Sequence, residues 1–317
     1  MPARSPVIDF HAHFVPDFYR DAAAAAGYGN PDGIAGFPRW SVDEALGMMD
    51  RNAITVAVAS VSSPGVHFGD DAAARHLART VNEFNAGVRD KYPDRFAFLA
   101  SLPLPDIEGA LAEITYALNV LHADGVVLET NARGLYPGDP AMEPVLDALD
   151  QRHALVVLHP TSPPNWEAVS RGWGRPMIEF PFDTIRAVAD LLLRGGLTRH
   201  PRIRMVVPHG GGALAALADR IDGFARIFAA ADTPDIAVQL RNLYYDLAGA
   251  PVPRQLPSLL AMTSPSHLLY GTDWPWTPEA AITAITAGIK ATPLLDHDQI
   301  TAMMTTNGIP LLDRFGT

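Results

Sequence analysis

Eight short apolar runs punctuate this chain, and a helix-period segment follows each at intervals of roughly 25 to 50 residues. The runs are Ile8 to His13, Ile54 to Ser60, Arg95 to Ser101, Gly125 to Glu129, Leu155 to Leu158, Ile203 to Val207, Leu243 to Leu247 and His267 to Tyr270. Leu155-Val156-Val157-Leu158 and Met205-Val206-Val207 are apolar on both faces, as parallel strands covered by helices must be. The helical segments are Ser41 to Asn52, Asp70 to Tyr92, Ile107 to His122, Pro140 to Arg152, Phe182 to Arg194, Ala213 to Phe228, Pro253 to Met262, Glu279 to Lys290 and Asp296 to Thr306. The alternation predicts an α/β fold, a (β/α)8 TIM barrel in a single domain over residues 1–317. A small insertion follows strand 1, where Pro16 to Trp40 reads as irregular around an alanine run. The competing doubly wound sheet lacks its Gly-rich phosphate fingerprint after any strand.

Charge and composition remove several function classes. A net charge of −11 without a Lys/Arg cluster argues against nucleic acid or an anionic membrane as partner. No secretory signal and no bilayer-length apolar run appear, and there are no cysteines. That combination leads us to expect a cytoplasmic protein. The missing cysteines also exclude thiolate ligands and a thiol nucleophile. Both lysines, Lys91 and Lys290, fall at helix ends, so neither supplies a Schiff base or a carbamate bridging two metals.

The chemistry-bearing residues gather at strand ends. His11 and His13, two apart on an extended strand, point to one side and can converge on one point. Imidazole is a common ligand for a divalent metal, but a zinc site needs more than two. His159 ends the fifth strand, His209-Gly210-Gly211-Gly212 follows the sixth, and Gly271-Thr272-Asp273 follows the eighth. Singly, each has a structural explanation: a strand-end histidine, a turn needing small residues, a helix N-cap. All lie at C-terminal strand ends, which meet on the face where barrels of this type hold their active sites. The remaining histidines, His67, His76, His122, His153, His200, His267 and His297, read as surface or packing residues.

Asp9-Phe10-His11-Ala12-His13, His159-Pro160, His209 with its glycines and Gly271-Thr272-Asp273 resemble the amidohydrolase superfamily, in the branch of the aminocarboxymuconate semialdehyde decarboxylases. The segments Phe14-Val15-Pro16, Ser62 to Val66, Leu102 to Asp106, His159 to Pro163 and Glu179 to Thr184 are most similar to 6-methylsalicylate decarboxylases. The resemblance implies one divalent metal held by His11, His13, His159 and Asp273, with His209 beside it as acid/base. Zinc suits three imidazoles and a carboxylate, manganese remains open, and no organic cofactor is implied. Glu129 stands where two-metal relatives carry lysine, which favours one metal and leaves its own role open. Arg220 matches an arginine that reaches a neighbouring subunit's site, implying a homodimer or higher assembly, and Arg39 matches a second substrate arginine.

The implied reaction is loss of CO2 from a hydroxybenzoate, a small aromatic carboxylic acid such as 6-methylsalicylate, giving 3-methylphenol. Asp273, or water relayed by His209, would protonate the ring carbon. Phe14, Phe180, Trp274 and Trp276 are candidate walls for the ring. Hydrolysis of a lactone, amide or ester would use the same ligands and stays open as the alternative.

Overall fold

The computed structural model describes residues 6–228 and 233–312. Eight strands lie side by side in chain order, all neighbours parallel. They are β1 (Ile8–His13), β2 (Val56–Ser60), β3 (Phe96–Ser101), β4 (Gly125–Glu129), β5 (Leu155–His159), β6 (Arg204–Val207), β7 (Tyr244–Asp246) and β8 (Leu268–Leu269). The outer layer comprises α1 (Asp17–Ala25), α2 (Val42–Arg51), α3 (Asp71–Lys91), α4 (Ile107–Asn119), α5 (Glu143–Asp150), α6 (Glu179–Leu193), α7 (Gly196–Arg199), α8 (Leu214–Phe228), α9 (Ile236–Asn242), α10 (Gln255–Met262), α11 (Glu279–Lys290) and α12 (His297–Met304). This is the expected (β/α)8 barrel.

Closure between β8 and β1 comes from residues just past β8. Phe10 N–H donates to the Tyr270 carbonyl at 2.8 Å, and Asp273 N–H to the His11 carbonyl at 2.7 Å. The buried Asp9 carboxylate fastens the same seam, accepting from the Thr272 hydroxyl at 2.6 Å and the Thr272 N–H at 3.0 Å. Burial pushes that carboxyl up to about 7, against the pull of the Thr272 hydrogen bonds.

Side-chain parity sorts each strand into an inner and an outer set. Ile8, Phe10, Val56, Val58, Ala97, Leu99, Val127, Leu155, Val157, Val206 and Leu269 fill the barrel interior, with Leu311 and Leu312 in the same cluster. The alternate residues pack outward against the helices in the larger core. Followed upward, the inward parity reaches Ser60, Ser101, Glu129, His159 and Asp246 at the strand ends. A polar layer therefore caps an apolar barrel.

Several segments differ from the sequence reading, among them the short α7 and α9, which form where it placed no element. The stretch after β1 is not wholly irregular, because α1 forms over its alanines, the strongest helix formers, and buries Tyr19 and Ala23 one turn apart. The helix expected from Phe182 begins at Glu179, since Pro181 is tolerated in a first turn that lacks intrahelical N–H partners. β8 is only two residues long because a 3-10 turn at Pro265–His267 occupies its expected start.

Gly125 opens β4 where no side chain fits. A Cβ there would stand 2.4 Å from the Leu155 carbonyl oxygen, an atom of β5 that cannot swing aside. Gly125→Ala is expected to cost about 1–3 kcal/mol by overpacking. A fall in the urea midpoint at unchanged slope would register it; an unchanged midpoint would refute it.

Candidate metal centre and active site

The His-Ala-His strand carries a register shift between Asp9 and Ala12, and beyond it both histidines enter the polar layer. One ligand atom each from His11, His13, His159 and Asp273 lies within 4.8 Å of the others. Each imidazole is oriented through its Nδ1 hydrogen. His11 donates to Asp246 Oδ2 at 2.9 Å, His13 to the Ser60 carbonyl at 3.2 Å, and His159 to the Pro160 carbonyl at 2.8 Å. That leaves the Nε2 lone pairs for the centre. Asp273 Oδ1 sits 3.2 Å from His13 Nε2 and 3.5 Å from His11 Nε2. Ligands bonded to one tetrahedral metal at about 2.0–2.1 Å would be separated by roughly this much.

One atom tests the fit directly. His11 Nε2 is buried and has no hydrogen-bond partner, a costly state unless a cation completes it. The donor set of three neutral-capable imidazoles and one carboxylate suits a divalent ion. Burial lowers the pKa of His13. Burial and then the neighbouring imidazoles push His159 well below the usual histidine range. Both are thereby kept deprotonated for coordination. His11 differs: burial opposes its charge, but Asp246 outweighs burial and raises it to about 9 in the metal-free protein. Although burial alone would raise Asp273, the His13 hydrogen bond and the neighbouring His209 and His11 imidazoles hold its carboxyl well below the ordinary range.

His209 stands next to this cluster. Its ring centroid is 4.7 Å from that of His11, and its Nε2 is 3.6 Å from Asp273 Oδ2. Its backbone is locked by two long-range contacts: its N–H donates to Asp246 Oδ1 at 3.1 Å, and its carbonyl accepts from Gln255 Nε2 at 2.6 Å. Both His209 (φ 55) and Asp273 (φ 61) occupy the left-handed region, which non-glycine residues seldom adopt. Gly271 is small for a reason, since a Cβ there would meet the His11 Cβ at 2.8 Å.

A cavity of about 650 Å³ opens above His159, His209 and Asp273. Ile34, Met177, Phe180, Pro181 and Trp276 are among its walls, and no lysine or arginine among the described residues lines it. The Trp276 ring is fixed by an Nε1–H bond to Ser62 Oγ at 2.8 Å. Phe180 and Trp276 thus face the cavity, whereas the other two candidate aromatics do not. Phe14 is fully buried in the core against Trp40 and Phe96. Trp274 packs on the core, and its carbonyl accepts from His13 N–H. Arg39 is exposed and off the cavity wall, and Arg220 lies exposed on α8 with its guanidinium over the Phe224 ring.

Two buried carboxylates escaped the sequence reading. Asp246 ends β7 as His159 ends β5, so the strand-end signal was present, but Tyr244-Tyr245-Asp246 is too short to stand out. Asp32 sits in the insertion, where no periodicity marks it. It accepts from Ser63 Oγ at 2.7 Å and also from Ser162 Oγ.

Comparison with known proteins agrees with this geometry. The family model described as Amidohydrolase matches residues 8–314. The 6-methylsalicylic acid decarboxylase acuB of Aspergillus aculeatus is 34% identical over 322 residues, covering 97% of this chain and 96% of its own. A crystal structure described as an amidohydrolase II superimposes with a TM-score of 0.91 at 36% identity, covering 96% of this chain and 99% of that one. The 5-carboxyvanillate decarboxylase of Novosphingobium aromaticivorans, solved with manganese and a nitrobenzoic acid, shares the fold at a TM-score of 0.85 and 19% identity, covering 97% and 96%. With its barrel, its strand-end ligands and a family match across nearly its whole length, this chain belongs to the amidohydrolase family.

Proposed function

We propose that this protein is a metal-dependent, non-oxidative carboxy-lyase acting on hydroxybenzoates, with 6-methylsalicylate as first candidate, giving 3-methylphenol and CO2. One observation carries the reading: a cavity with the metal-ligand cluster and the His209–Asp273 pair at its base and largely hydrocarbon walls. The identity to a relative named for 6-methylsalicylic acid supports the substrate class.

His11, His13, His159 and Asp273 would hold the ion. Zinc is the first choice on donor type, and manganese, bound in the 5-carboxyvanillate decarboxylase, is the alternative. The bound ion would supply Lewis-acid charge that polarises the substrate's carboxylate and ortho oxygen. The chain's own residues do the rest. Phe180 and Trp276 hold the ring and keep water from it. His209 Nε2 and Asp273 Oδ2 share the incoming proton as a coupled pair and deliver it to the ring carbon bearing the carboxylate. The carbon–carbon bond then breaks, its electron pair restores the aromatic ring, and CO2 leaves.

We take the active form to be a homodimer or higher, with Arg220 at the shared face. Phe224, Ile227 and Phe228, exposed on the same helix, support that assignment. No helix among the described residues is long and apolar enough to cross a membrane, and a cytoplasmic location is part of the same proposal. Incubating the metal-loaded protein with 6-methylsalicylate under nitrogen tests the reaction. Stoichiometric 3-methylphenol and CO2 are expected; inertness towards a panel of ortho-hydroxybenzoates would overturn it.

A further inference from the structure

The polar layer at the top of the barrel has two halves. Metal-ligand atoms come from β1, β5 and the segment after β8. Inward parity sends Ser101 from the end of β3 and Glu129 from the end of β4 into the same layer, with Glu129 in register beside His159 and its Oε2 3.7 Å from His159 Nδ1. Ser101 is 4% exposed, and its Oγ has no hydrogen-bond partner; Glu129 Oε2 is likewise buried without a hydrogen bond.

Over these two residues lies a second cavity of about 800 Å³. Among the described residues, Asp32 alone lines both cavities, and its bonds to Ser63 and Ser162 make it a partition between them. On one side wall the Arg175 guanidinium lies 3.8 Å over the Trp166 ring, while its Nε–H donates to Ser162 Oγ. At the rim Arg133 is exposed and enters no ion pair among the described residues. Between floor and rim the walls are mixed, with Leu102 and Leu104 beside His67, Asn131 and Thr161.

A buried hydroxyl and a buried carboxyl oxygen without hydrogen bonds are costly, and a guest carrying its own hydroxyl would offset that cost. Arg133 at the rim, with Arg175 4.0 Å from Asp32 on the side wall, suits a carboxylate, and Leu102, Leu104 and the Trp166 indole suit an aromatic ring. We propose that this cavity is a second binding site, adjoining the metal centre across Glu129 and Asp32, for a small hydroxylated aromatic carboxylate. Its hydroxyl would rest on Ser101 and Glu129, and its carboxylate would face Arg175 and Arg133. The assignment does not depend on the reaction at the metal centre.

3-Hydroxybenzoate is a suitable probe, because without an ortho hydroxyl it reaches the metal centre through its carboxylate alone and leaves its hydroxyl free for the floor of the second cavity. Calorimetric titration of the metal-loaded protein is expected to give two classes of site, with one equivalent in each. Ser101→Leu, which fills the floor, and Arg133→Ala, a surface change that should leave the fold intact, should each weaken the same class about tenfold or more. The other class should persist in both variants and respond to metal removal. A single equivalent lost on chelation would overturn the proposal. So would two classes that neither substitution moves.

Discussion

Asp273→Asn is expected to lower kcat/KM for decarboxylation by a factor of about 10³ or more, and to lower bound metal at the same time. The two losses come from different oxygens of one carboxylate. Oδ1 lies against His11 and His13, where an ion would sit, and Oδ2 faces His209 Nε2 at 3.6 Å. Asparagine keeps the shape but loses the charge, so it weakens the coordination shell and uncouples the proton pair together. His209→Asn separates these effects. His209 is not among the four clustered ligand residues, so metal content should stay near one per chain. Its loss should then cost about 10²–10⁴ in kcat, the usual range for a positioned acid or base. Metal analysis beside steady-state kinetics reads both quantities. If His209→Asn retained full turnover, the proposed proton pathway would be wrong. If Asp273→Asn kept its metal, the ligand set would need another member.

The second large effect is expected at Asp246, which touches neither cavity. Its Oδ2 orients His11 through Nδ1, and its Oδ1 accepts from the His209 N–H and from Ala248 N–H at 3.0 Å. One buried carboxylate therefore positions both His11, a proposed metal ligand, and His209, the proposed acid/base. Outer partners of this kind are worth about 10–100-fold in metal affinity, and Asp246→Asn should lose that much.

The pH dependence supplies a separate readout. In the metal-free protein His11 titrates at about 9. Below that pH a proton occupies the imidazole and must be displaced, so metal affinity falls as pH drops from 9 towards 7. The same pair stabilises the metal-free fold at pH values below the ordinary 6.5, a contribution lost as pH rises through about 9. Asp246→Asn leaves burial as the main influence, which lowers the His11 pKa and should flatten metal loading between pH 7 and 9. Chelator competition across that range measures it. A variant with wild-type affinity and an unchanged slope would show that Asp246 only packs.

The barrel was legible because its strands are buried on both faces and therefore read as continuous apolar runs, each ended by helix-period sequence. The clustered candidate ligands were legible for a related reason: each lies at the end of such a run or within three residues of it, so finding the strand also locates them. What escaped was held by contacts remote in sequence. Asp32 meets Ser63 and Ser162 across 31 and 130 residues, and no local pattern encodes that pairing. Arg175, on the wall of the second cavity, follows a Gly/Pro-rich loop, whereas Arg39 and Arg220 drew attention by position alone and stand exposed. Phe14 directly follows the ligand strand, yet its side chain points down into the core. Adjacency in sequence says little about which way a residue faces once the strand has ended.

The left-handed backbone at His209 and Asp273 has a consequence for anyone who would engineer or evolve this chain. A side chain held there costs on the order of 1–2 kcal/mol relative to glycine, and both residues lie where the proposed reaction uses an imidazole and a carboxylate. Selection for heat resistance alone would drift towards glycine at these two positions and arrive at a sturdier, inert barrel. Any screen for robust variants of this protein has to score turnover alongside survival, because here the two pull apart.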